Sequence, residues 1–141
     1  MVRSQLILSW RKLVSQNPNN LSGISVFVVE DEFAVLLLLE DMLTELGCKL
    51  AGTASRMPEA INMARTAAFD AAVLDVNING QAIDPVADML ATRNVPMVFS
   101  TGYGRDGVNA RWRDHPILQK PYRVEELAAA LGRALGSGQT D

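Results

Sequence analysis

Asp75 closes the apolar run AAVL, and three other reactive groups sit in comparable places, each at the end of a short apolar run. Glu30, Asp31 and Glu32 follow ISVFVV, Ser100 and Thr101 close PMVF, and Lys120 follows PILQ. A carboxylate at the mouth of a core, parted from its partner, destabilises a fold by roughly 3–5 kcal/mol, so Asp75 calls for a cation. Carboxylates gathered in one place also repel, and they raise each other's pKa unless a cation sits among them. A donor set of oxygens, with no His or Cys, suits a hard cation, Mg²⁺ most readily, held by one or two carboxylates with water and phosphate oxygens completing the shell. A hydroxyl and an ammonium facing such an ion are aimed at an anion. A phosphoryl group fits: the metal and Lys120 neutralise its oxygens, Thr101 donates to one, and loop N–H groups take the rest. Asp75 is then the nucleophile, its carboxylate forming an acyl phosphate.

Those groups come together only if the runs that carry them are strands of one sheet. ISVFVVE (24–30), CKLAGTA (48–54), DAAVLD (70–75), PMVFS (96–100) and PILQ (116–119) read as five short buried strands. Between them lie helical patterns: FAVLLLLEDMLTEL ends at Gly47, PEAINMARTA opens on Pro58, and PVADMLATR follows Asp84, read as its N-cap, with Pro85 in the first turn. VEELAAALGRAL, with acids in its first turn and Arg133 near its end, is a final amphipathic helix. Glycines 102, 104 and 107 leave the helical content of 105–113 open. Alternating strands and helices imply a doubly wound α/β domain with a parallel sheet and right-handed crossovers. Its site belongs beyond the carboxyl ends of the strands, where strand order reverses.

The composition sets bounds. With 141 residues, 48% hydrophobic, the chain has enough apolar material for one core. A net charge of −3 with scattered basic residues argues against nucleic acid as a direct partner. Cys48, the single cysteine, can form no internal disulfide and fits a reducing cytosol, as a small hydrophobe at a strand edge. FAVLLLL stops at Glu40 and Asp41, too short to span a membrane, and Arg11 and Lys12 interrupt the N-terminal apolar patch, which disfavours a secretory signal. A cytoplasmic protein is the expectation.

VFVVEDE, AAVLDVN, FSTG and QKPY, in that order and at these spacings, resemble the receiver domain of bacterial two-component response regulators over residues 24–135. The resemblance implies a flavodoxin-like strand order 2-1-3-4-5 and phosphorylation of Asp75 by a sensor histidine kinase or phosphotransfer protein. It implies Mg²⁺ held by Asp31, Asp75 and the backbone carbonyl of Asn77, with Glu30 acting through a metal-bound water. Thr101 would be the switch hydroxyl and Lys120 the phosphoryl-pairing cation. Asn77 and Gly102 would supply backbone contacts to the phosphoryl group, and Lys120 to Pro121 would be a cis bond. The stretch VNINGQAIDPVADML with PMVFSTGYG also resembles the single-domain regulators of alphaproteobacteria that carry a FATGY-like loop. These imply a protein that signals by binding an unknown partner or by draining phosphate from a relay. Its only catalysis would be its own phosphorylation and dephosphorylation.

Two positions depart from the family pattern. Ile117 stands where receivers carry Tyr or Phe, leaving Tyr103 as a substitute partner for Thr101, and the INGQ loop replaces a proline after the phosphoacceptor and reads as more mobile than usual. A haloacid dehalogenase-type phosphatase uses a similar set, but it expects a second Asp at position 77, where this chain has Asn, and its acidic pair late in the chain. A pseudo-receiver that binds without phosphorylation would lack some of these groups, and all are present. His115, in RDHP, reads as solvent-exposed, and Trp10 and Trp112 as packing groups.

Outside the resemblance, residues 1–22 place Leu6, Ile7, Trp10, Leu13 and Val14 at helical spacing before NPNNLSG breaks the pattern. Such a helix is expected to pack on the leucine-rich first helix of its own domain or of a second copy in a homodimer. The tail from 136 reads as disordered.

Overall fold

The computed structural model describes residues 21–137. The helix expected within 1–22 lies outside the described residues, apart from Leu21 and Ser22. Five strands, β1 (Ser25–Val29), β2 (Lys49–Ala54), β3 (Ala71–Asp75), β4 (Met97–Thr101) and β5 (Ile117–Gln119), form one parallel sheet in the order β2-β1-β3-β4-β5. The flavodoxin-like order inferred from the sequence is the order found.

Alternation along each strand divides the core in two. Phe27, Val29, Ala72, Leu74, Met97 and Phe99 face α2 (Met57–Thr66) and α3 (Asp84–Thr92). Val26, Val28, Ala71, Val73 and Val98 face α1 (Phe33–Glu45) and α4 (Val124–Ser137). Side chains of successive strand residues point to opposite faces, so runs that are apolar throughout are what a sheet covered on both sides requires. The last helix runs to Ser137, two residues into the segment read as tail.

At Asp84 a local reading needs correction, and two other segments take a definite form. Asp84 is not an N-cap: Ile83 occupies that position in a helical conformation, and the Asp84 carboxylate instead accepts from Asn109 Nδ2 at 2.9 Å and pairs with Arg111 at 3.4 Å. The INGQ loop is a tight hairpin, Asn77–Ile78 against Gln81–Ala82, turned through Asn79 (φ 52°) and Gly80 (φ 84°). Two successive left-handed residues make the hairpin turn for which Asn-Gly is the preferred pair. Finally, the crossover from β4 to β5 is built of two 3₁₀ turns, Gly104–Gly107 and Ala110–Trp112, in place of a helix. Gly104 is left-handed (φ 67°), which an α-helix cannot absorb. Arg111 holds this segment against α3 through Asp88 at 2.8 Å, with its guanidinium 4.4 Å above the Trp112 ring, which in turn stacks on Phe99.

Candidate functional site

Strand order reverses between β1 and β3, and the groups that follow their carboxyl ends meet there. A cleft of about 800 Å³ is lined by Asp31, Asp75, Asn77, Thr101, Gly102 and Lys120, among others. Register explains the convergence: Asp75 lies beside Ser100, Thr101 lies beside Gln119, and Lys120 follows directly, its N–H donating to the Thr101 carbonyl at 2.8 Å. The Lys120–Pro121 bond is cis.

Asp75 is buried and both its oxygens are engaged. Lys120 Nζ donates to Oδ2 at 2.7 Å, and the Asn77 N–H donates to Oδ1 at 3.1 Å. Asp31 accepts from the Asn79 N–H at 2.8 Å, so the hairpin turn is fastened to the acidic segment after β1. That tie was not legible in the sequence. The Asn-Gly pair announced the turn, but only the fold brings it to Asp31.

Glu30 does not line the cleft. It is buried behind Lys120, with Oε1 3.0 Å from Nζ and Oε2 accepting from the Glu32 N–H at 3.1 Å. Lys120 therefore serves two carboxylates. If both are ionised, the buried trio carries one uncompensated negative charge. Burial pushes the Glu30 carboxyl up to about 7; the bonds from Lys120 and Glu32 oppose the shift and the charge of Asp75 adds to it. Burial opposes the charge on Lys120, but hydrogen bonds and attraction from both acids outweigh it, and the net displacement is upward. The ammonium stays charged, and Glu30 is the group that takes a proton.

The consequence for stability has a definite sign. Folded Glu30 holds its proton to about 7, whereas the unfolded carboxyl releases it near 4.5, so between these values the folded state binds more protons. Stability from this group is complete below the lower value and is lost as pH rises through the higher one. His115, whose burial lowers its pKa, works in the opposite direction. We therefore expect the slope of unfolding free energy against pH between pH 5 and pH 7, about the span of the shift, to be more positive in Glu30→Gln than in the unmodified protein, as measured by urea titration, because the fall that Glu30 contributes is gone. Identical slopes would contradict the pairing described here.

Thr101 is fully buried; its hydroxyl accepts from the Tyr103 N–H at 3.1 Å, and the Tyr103 ring stands 86% exposed at the rim of the cleft. Ile117 is half-buried against the Phe99 side of the core. Gly107, which sequence reasoning treated only as a helix breaker, lines the cleft against Thr101: a Cβ there would overlap the Thr101 hydroxyl and meet the Tyr103 Cβ at 3.0 Å. Gly107→Ala is expected to displace that hydroxyl or the 104–107 turn. A displacement worth about 1.4 kcal/mol slows any reaction that uses the hydroxyl about tenfold, with amide shifts at residues 101–107 as the structural check. His115 is not solvent-exposed as expected. It is half-buried, edge-on to Phe99 at 5.6 Å and beside Trp112 at 5.9 Å.

The cleft suits a divalent cation in donor type and in charge. Its walls carry the carboxylates of Asp31, Glu32 and Asp75 against the single ammonium of Lys120. The excess of two negative charges matches one Mg²⁺, and the donors are oxygens throughout. Carboxylate oxygens of Glu30, Asp31 and Glu32 also lie within 4.8 Å of one another. Glu30 is already occupied by Lys120 and the Glu32 N–H, so the cleft-lining acids are the better donors.

The doubly wound sheet thus gathers carboxylates, a hydroxyl and an ammonium at its switch point. Residues 26–132 match the family model of the response regulator receiver domain, and the chain belongs to that family, which is a signalling family. It is 40% identical to SdrG of Sphingomonas melonis Fr1, whose solution structure superposes with a TM-score of 0.72 over 80% of this chain and 96% of that one. The transcriptional regulatory protein PdtaR of Mycobacterium tuberculosis is 28% identical over 114 residues, 78% of this chain and 56% of that protein. The phyllosphere-induced regulator PhyR of Methylorubrum extorquens is 27% identical over 115 residues, 78% of this chain and 43% of that protein. The chain thus spans about half the length of the curated relatives it matches. No helix among the described residues is long and apolar enough to cross a membrane.

Proposed function

We propose that this chain is a phosphoacceptor of a two-component relay: Asp75 takes a phosphoryl group from a histidine kinase or a phosphotransfer protein. The supporting observation is the bond from Lys120 to Asp75 inside a cleft whose other walls are acidic. An Asp75 carboxylate oxygen attacks phosphorus, the bond from phosphorus to the donor's nitrogen breaks, and the electron pair leaves with that nitrogen. Lys120, tethered by Glu30, then pairs with a phosphoryl oxygen, Thr101 donates to another, and the N–H groups of Asn77 and Gly102 contact the group. Asp31, Asp75 and the Asn77 carbonyl would hold Mg²⁺, which supplies charge neutralisation on the transferring group. Tyr103, exposed beside the Thr101 hydroxyl, takes the switching role that Ile117 cannot. The phosphorylated state is read by a protein partner, or it drains phosphate from the relay.

SdrG has also been solved in a BeF3-activated conformation. The test is intact mass after incubation with acetyl phosphate and Mg²⁺. We expect a gain of one phosphoryl group that chelation of the metal abolishes. A natively folded protein with no adduct would remove the phosphoacceptor reading, and steady hydrolysis of phosphate esters without an adduct would favour a phosphatase.

A further inference from the structure

The helix beside the cleft has more apolar surface than its own core uses. Leu39 and Leu43 of α1 are buried against the sheet, yet Phe33, Leu37 and Leu38 are 72%, 46% and 54% exposed. Between α1 and the segment after β5 runs a groove of about 350 Å³, walled by Val35, Leu38, Leu39, Met42, Pro121 and Tyr122. Of the three exposed residues Leu38 lines it, and an apolar groove open to solvent marks a docking surface more often than a bare face.

We propose that residues 1–20 of the same chain fill this groove. Three observations select them over another occupant. The first is position. The described chain begins at Leu21, which is buried, and its carbonyl accepts from Cys48 Sγ at 3.7 Å, while the Gly23 N–H donates to the Gly47 carbonyl at 2.9 Å. The preceding segment therefore starts at the carboxyl end of α1. From Leu46 back to Leu38 is about 12 Å along the helix, and the link SQNPNN (15–20) reaches about 20 Å when extended. The second is pattern: Leu6, Trp10 and Leu13 recur at the spacing that puts them on one helical face, with Ile7 and Val14 beside them. The third is charge. Residues 1–20 carry Arg3, Arg11 and Lys12 with no acid, whereas Glu32 lines the groove and α1 carries Glu40, Asp41 and Glu45. Asp41 and Glu45 stand three and seven positions beyond Leu38, on or next to the face that meets the groove.

Lys120 and Glu32 line both this groove and the cleft. A seated segment covers the face beside Asp75, and a partner that uses this face must displace it. The proposal stands on the groove and not on phosphoryl chemistry.

The test uses the full chain, with Trp10 as reporter and the buried Trp112 as a constant background. Trp10 fluorescence is expected to be shielded from acrylamide, and Leu38→Asp to remove the shielding and shift the emission to the red. Leu50→Asp, at another exposed leucine, on the edge strand β2, is expected to change neither. Amide exchange over 33–45 should accelerate in Leu38→Asp and in Leu6→Asp alike. The proposal is overturned if Trp10 is freely quenched in the unmodified chain. It is equally overturned if the shielding disappears on dilution, which assigns the groove to a second copy.

Discussion

Asp75→Asn is expected to acquire no phosphoryl group from acetyl phosphate and Mg²⁺ under conditions that load the unmodified protein fully, and to be no less stable. The first outcome follows from the nucleophile. An amide oxygen lacks the charge with which a carboxylate attacks phosphorus, and the acyl phosphate has no equivalent at that position. The second follows from the buried charges. Asp75 and Glu30 share Lys120, at 2.7 and 3.0 Å. Removing one acid leaves a one-to-one pair, while the Asn77 N–H keeps an oxygen to donate to. The charge of Asp75 is one of the causes that raise Glu30, so its removal should bring the Glu30 titration down from about 7. Carbon NMR of the Glu30 carboxyl reads this directly. A variant that still gains phosphoryl mass would move the phosphoacceptor to another acid, Asp31 being the nearest candidate in the cleft. A variant without adduct whose Glu30 titration is unchanged would mean that the two acids do not share the lysine.

The pieces of this site legible in the sequence were those fixed by strand ends. A parallel strand covered on both faces is an apolar run, and the first polar residue after it must emerge at the carboxyl edge. Asp31, Asp75, Thr101 and Lys120 could be placed in one cleft for that reason. Glu30 could not be told from its neighbours. That it lies beneath Lys120, while Asp31 lines the cleft, depends on where the chain turns after β1.

His115 misled because its neighbours in sequence are polar, while its surroundings are the rings of Phe99 and Trp112, supplied by a strand and a 3₁₀ turn. Asp84 before Pro85 has the composition of a cap, yet Arg111 and Asn109 across the loop claim its carboxylate. Local signals lost where a partner, aromatic at His115 and charged at Asp84, arrived from another element. They prevailed at the Asn79-Gly80 turn, where the requirement is the backbone's own.

The same reasoning predicts the largest loss of stability at Lys120. Methionine keeps the length and apolar stem of the side chain beside Pro121 and Tyr122 but removes the only cation within reach of the two acids among the described residues. Breaking one partner from a buried ion pair typically destabilises by roughly 3–5 kcal/mol, and Lys120→Met should show a loss of that order by urea unfolding at pH 8. Glu30, held up by burial and no longer bonded to an ammonium, has its proton favoured further, so the loss should shrink on acidification from pH 8 and level off by about 7. Replacing the acid as well separates this account from a simple packing defect. In Lys120→Met with Glu30→Gln, a neutral amide sits where a buried charge was stranded, and much of the lost stability should return, because a partner removed together with its charge leaves less unsatisfied than a partner removed alone. If the single variant is as stable as the unmodified chain and insensitive to pH, Lys120 does not hold these acids in solution. If instead the double variant is less stable than the single, the deficit lies in the shape of the groove wall. Recovery in the double variant would leave Lys120 with one remaining task, to meet whatever anion Asp75 receives.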